Sequence, residues 1–204
     1  MRLMMLCTSG GHGGLELYAA EEVRQLQARD FECLPVVRPC SMLDKRLQEN
    51  NIASAHLSVA NHRLPFVAAK RLARLIDEQQ IDLVHIHWNN DLNLAALAKK
   101  FSRRRPRLVY SRHMAITRSK KDPLHRWIYH EVDRLIVITR RMQQEAEQYL
   151  PVAADKIIPL YLGVAEVDET PAPEEDCYDE HFPQRRLNLA LFGRIEHYKG
   201  CLLY

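Results

Sequence analysis

Strand-like apolar runs take turns with helix-length amphipathic segments along most of this chain, and that alternation limits its fold more than any other feature. "RLMMLCT" reads as a strand and residues 15–29 as a helix, then "FECLPVV" as a strand and residues 64–80 as a helix. The pattern repeats: "IDLVHIHW" precedes a helix at 92–102, "RLVYSRH" one at 123–132, "RLIVIT" one at 140–150, and "KIIPLYLG" closes the series. Near-continuous Val, Ile and Leu runs belong to strands buried on both faces, and strand–helix alternation builds a parallel sheet with helices on both sides. The expected fold is therefore α/β: a Rossmann-like parallel sheet with helices on both faces, over residues 1–165.

Beyond Gly163 the texture changes. Residues 165–182 carry eight Asp or Glu and no Lys or Arg, so 166–186 reads as an acidic linker. "RLNLALFGRIEHYKG" then opens a new strand and turn, and 187–204 reads as the start of a second, incomplete domain. A first strand without neighbours leaves backbone groups unpaired, which predicts either disorder of this segment or weak self-association through that strand.

The composition is that of a globular protein, with 47% hydrophobic and 27% charged residues. No apolar run approaches the roughly 18 residues of a membrane span, and "MRLMMLC" is too short for a signal peptide. The five cysteines include no C-x-x-C pair, which fits reduced thiols in the cytoplasm.

Four of the seven glycines fall within "GGHGG" at residues 10–14, directly after the first strand. Such a turn lets a phosphate approach bare amides at a helix start, or simply permits tight packing. A dinucleotide fingerprint counted from Gly11 and Gly13 would need glycine where Glu16 stands, and a P-loop would need Lys and Ser or Thr after its last glycine. Neither matches, so ATP and NAD are not expected.

On "IDLVHIHW" the side chains alternate, so His85 and His87 share one face, with His87 nearer the carboxyl end where open α/β sheets bind ligands. His85 reads as a core histidine held by a hydrogen bond. A metal would need further ligands such as His12 or His113, and no zinc-type spacing supports one. His113 lies just past the next strand, flanked by Arg112 and Arg118; it either meets a substrate or packs structurally. Net charge is only +3, yet residues 99–126 hold eleven Lys or Arg against one Asp. That run is either a solvated helix end and loop or an attractor of anions such as anionic lipid or a phosphorylated substrate. Nucleic acid is not expected, since no aromatic-rich or helix-turn-helix signature accompanies it.

Taken in order, these pieces resemble the N-terminal half of a family 4 retaining glycosyltransferase, a group with the two-domain GT-B architecture. "GGLE" at Gly13–Glu16 matches the family's first turn, and Asp82–His87 its D-x-x-H-x-H-like strand. "VYSRH" matches the strand ending in histidine, and "LIVIT" the strand before a helix capped here by Thr139. "LALFGRIEHYKG" is similar to the G-R-x(3 or 4)-K-G segment that opens the C-terminal domain.

The resemblance implies a nucleotide-sugar donor, a glycan or lipid-linked acceptor, peripheral contact with an anionic membrane at its inner face, and no metal or other cofactor. It places the donor diphosphate at Gly13, Gly14, Arg194 and Lys199, and the acceptor at Glu16, His87, Arg112 and Arg118. His113 would contact the reacting sugar. The sequence departs from the family at Leu162, which stands where the P-N-G motif has Asn, and residues 187–204 do not include the E-x7-E element of the family's C-terminal domain. The chain alone is therefore expected to be inactive. The competing expectation is a non-catalytic Rossmann-like module that binds an anionic glycan or lipid head group.

Overall fold

The computed structural model describes residues 1–163, which form seven strands and six α-helices. The first half runs β1 (Arg2–Cys7), α1 (Gly14–Gln27), β2 (Glu32–Val37), α2 (Met42–Glu49), β3 (Ala55–His56) and α3 (Phe66–Glu78). The second runs β4 (Leu83–Ile86), α4 (Asp91–Phe101), β5 (Arg107–Arg112), α5 (Pro123–His130), β6 (Arg134–Val137), α6 (Arg140–Tyr149) and β7 (Ile157–Pro159). The acidic linker at 166–186, the incomplete domain at 187–204 with its unpaired strand, and the residues Arg194 and Lys199 lie outside the described residues.

All strand pairs are parallel, in the order β3-β2-β1-β4-β5-β6-β7. Strands are added in one direction from β1 to β3 and in the other from β4 to β7. Because βαβ crossovers are right-handed, that reversal sends the helices to opposite faces and opens a crevice between the carboxyl ends of β1 and β4. The core divides accordingly. Met4 and Leu6 of β1 belong to one buried cluster with Leu72 of α3, Leu94 of α4, Tyr129 of α5 and Ala146 of α6, whereas Met5 and Cys7 belong to another with Val23 of α1 and Leu43 and Leu47 of α2. This is the two-residue alternation of a strand buried on both sides.

The expected helices and strands are present, with ends shifted by no more than two residues except in β7, which stops at Pro159, four residues short of the expected end. Two elements had not been expected. β3 has only two residues, too few for a periodic signal. α2 has eight, in a stretch more polar than its neighbours, and is started by the Ser41 side chain accepting from the Asp44 N–H at 3.2 Å. Among the described residues no helix is long and apolar enough to cross a membrane.

Candidate functional site

The crevice is built from the segments that follow β1, β4 and β5. Residues 8–13 leave β1 as a loop, and α1 begins at Gly14. Glu16 is buried within this loop: its Oε1 accepts from the Ser9 hydroxyl at 2.5 Å and its Oε2 from the Gly13 N–H at 2.9 Å. Both carboxylate oxygens thus hold the loop's own shape. A Cβ added at Gly11 would lie 2.7 Å from Glu16 Oε1, whereas one at Gly13 would make an ordinary 3.5 Å contact and one at Gly14 would meet nothing within 4 Å. The space in front of Gly13 and Gly14 is open; the Gly13 N–H is held by Glu16, and the amides that follow it at the helix start favour an anion there.

The loop is tied to β4's continuation through Asp91, at the first turn of α4. Its carboxylate accepts from the Thr8 N–H at 2.7 Å and from the Thr8 hydroxyl. Complete burial pushes the Asp91 carboxyl up to about 7, against the pull of those two hydrogen bonds. The folded state therefore holds this proton more tightly than the unfolded chain, whose carboxyl sits near 3.8. The resulting stabilisation is full below the lower value and is lost as pH rises through the upper one. Urea unfolding of the parent and Asp91→Asn at pH 5 and pH 8 should show the parent losing on the order of 2 kcal/mol more than the variant. Parallel losses would show that Asp91 is ionised throughout.

A histidine cluster occupies the sheet face beneath α1. His85 meets Glu22 Oε1 through Nδ1 at 2.6 Å and Ser111 Oγ through Nε2 at 2.8 Å, so it is the hydrogen-bonded core histidine expected from its place on the strand. His87, 1% exposed, sends Nδ1 toward His113 Nε2 at 3.4 Å and Nε2 toward Glu22 Oε2 at 3.3 Å, the latter pair without a well-formed hydrogen bond. The rings of His87 and His113 stack at 5.6 Å, and Tyr18 of α1 tilts against His113 at 5.2 Å.

Burial, together with the charges of His85 and His113, drives His87 well below the ordinary histidine range. Burial also lowers His113, with Glu22 opposing. Both rings are thus neutral near pH 7, so His113 can donate or accept a hydrogen bond without bringing charge. Glu22, His85 and His87 present ligand atoms within 4.8 Å of one another, a set able to hold a metal ion. His12, one of the additional ligands considered from sequence, is exposed on the glycine loop.

The structure brings His87, Arg112 and His113 together around a cavity of about 260 Å³, which Trp88, Asn89 and Tyr110 also line. Arg118 is exposed on the loop after β5, close enough for its charge to act on Lys120. Three earlier members of the basic run lie at the opposite end of the sheet and are paired: Lys99 with Asp133 at 2.9 Å, Lys100 with Glu131 at 3.0 Å and Arg104 with Asp82 at 2.6 Å.

Sequence reasoning missed Tyr18, Glu22, Asn89, Asp91 and Lys120. The spacing of Tyr18 and Glu22, four residues apart and so on one face of a helix, was the available signal.

The sequence model of Glycosyltransferase Family 4 matches residues 12–166. No curated protein sequence matches the chain. Among solved structures, HepE from Anabaena, determined with UDP and glucose, is similar with a TM-score of 0.65 at 17% identity, over 80% of this chain and 45% of that one. A glycosyltransferase from Rickettsia africae gives 0.69 at 16% identity, over 91% and 50%. The lipopolysaccharide outer core galactosyltransferase WaaB gives 0.64 at 17%, over 86% and 50%. The chain therefore spans about half the length of the structures it matches.

Proposed function

Because the chain belongs to glycosyltransferase family 4, we propose that residues 1–163 are the acceptor-side half of an enzyme that moves a sugar from a nucleotide-sugar donor to a glycan or lipid-linked acceptor with retention of configuration. The observation that carries this reading is the convergence of a neutral His113, an open glycine turn and a cavity at the carboxyl ends of β1, β4 and β5. Open α/β sheets bind ligands at that position. The crystal complex of HepE with UDP and glucose supports a nucleotide-sugar donor.

In this reading the donor diphosphate approaches the backbone at Gly13 and Gly14, with Arg194 and Lys199 neutralising the charge that develops on it as the glycosidic bond breaks. Fixed positive groups aimed at a developing charge lower the barrier without reorganising in the transition state. His113 donates a hydrogen bond to the reacting sugar. The His87 ring stacked behind it, with Glu22 beyond, limits its orientation. Transfer of sugar from a UDP-, GDP- or ADP-sugar by a chain carrying both halves tests the reading. Donor-independent acceptor binding with no transfer would leave the non-catalytic module in its place.

A further inference from the structure

Arg112 closes β5 and is only 7% exposed, yet its guanidinium touches nothing but neutral groups. Nη1 donates to Asn89 Oδ1 at 3.1 Å and to the Tyr110 hydroxyl at 3.2 Å, Nη2 donates to the Ala115 carbonyl at 3.2 Å, and Nε is buried without a partner. Lys120 Nζ reaches the same Asn89 oxygen at 3.3 Å. Among the described residues no carboxylate lies within 4.0 Å of either cation. The two nearby acids whose charge is felt here are engaged elsewhere. Glu145 accepts from the Ile116 N–H at 3.0 Å and from Arg141 at 3.1 Å, and Asp122 caps α5 through the His125 N–H at 3.2 Å.

Burying a guanidinium without a counter-charge is unfavourable, and one amide oxygen cannot neutralise two cations. Burial, with the charges of Arg112 and Arg118, pulls the Lys120 ammonium below the usual lysine range, as expected of a cation short of an anion. The Lys120 backbone N–H bonds the Tyr149 carbonyl at 2.8 Å, so this loop is anchored against α6. The cations also stand apart from the glycine turn: β5 is two strands from β1, roughly 10 Å at the usual strand spacing.

We propose that the acceptor carries a phosphate group, held by Arg112 and Lys120 with Arg118 at the rim, beside the cavity that His113 lines. A planar guanidinium and a point-like ammonium together suit a phosphate dianion. The assignment rests on the transferase reading for the word acceptor, but the anion site itself does not.

The test is titration of the 204-residue chain with inorganic phosphate at low ionic strength, by calorimetry, with chloride as the control anion. Saturable phosphate binding is expected, weakened about tenfold or more in Arg112→Gln and in Lys120→Met and unchanged in Arg107→Gln, an exposed member of the same basic run. Lys120→Met covers the case in which Arg112→Gln fails to fold. A soluble sugar phosphate should displace inorganic phosphate if the source is a phosphorylated glycan; displacement only by vesicles containing anionic phospholipid assigns a lipid head group, and either result supports the site. Absence of saturable binding, or equal weakening in Arg107→Gln, overturns it. Displacement by UDP reassigns the cations to the donor and overturns the acceptor claim. Nucleotide-sugar turnover without phosphate binding would remove this inference alone, and phosphate binding without turnover would remove the transferase reading alone.

Discussion

His113→Ala, in a chain that carries both halves of the enzyme, is expected to lower turnover by about 10²-fold or more, the usual effect of losing one positioned polar group from a transition state. Stability should change far less. The ring stacks on His87 and meets Tyr18 at a tilt, but lies at the cavity wall rather than in either hydrophobic core. A loss of about 1 kcal/mol corresponds to a melting shift of roughly 2–4 °C in a protein of this size. The two readouts must separate for the account to hold. Turnover that stays within twofold of the parent would make His113 a packing residue.

Gly13→Val is expected to cost at least about tenfold in turnover or donor affinity while the fold survives. A Cβ at Gly13 meets only an ordinary 3.5 Å contact with Glu16 Oε2, so the substitution fits the protein and blocks the space in front of it. Gly13 also precedes the first residue of α1, where a β-branched residue caps poorly, at about 1 kcal/mol. Gly11→Val supplies the contrast. Its Cβ would fall 2.7 Å from Glu16 Oε1, so the loop itself must rearrange. Gly11→Val should therefore lower both stability and turnover, and Gly13→Val mainly turnover. Equal donor binding by Gly13→Val and parent would remove the phosphate role from the turn.

The sheet was legible because its strands are buried on both faces, which forces unbroken apolar runs such as "LMML" and "LIVI". The placement of His87 and His113 at carboxyl ends followed from the same reading. What escaped notice was set by pairing between distant segments. Glu22 looks like any acidic residue on α1 until the crossover brings it to 2.6 Å from His85. The basic run reads as one feature along the chain, yet β5 divides it. Lys99, Lys100 and Arg104 meet acids at one end of the sheet, while Arg112 and Lys120 are left with neutral partners at the other. Composition has no access to that division, because it depends on which strand end each residue occupies. The buried Asp91, read only as part of a loop before a helix, is likewise explained by β1 lying next to β4.

The central claim is that the cavity beside His113 is half of a sugar-transfer site. The most direct measurement incubates a chain containing residues 1–204 joined to a complete donor-binding half with UDP-, GDP- and ADP-sugars. Released nucleoside diphosphate and the anomeric configuration of the product would be followed by proton NMR. The account predicts release from one of these donors, a product with the donor's own anomeric configuration, and loss of both signals in His113→Ala. A folded chain that turns over none of the three donors, or one whose His113→Ala variant matches it in rate, would contradict it.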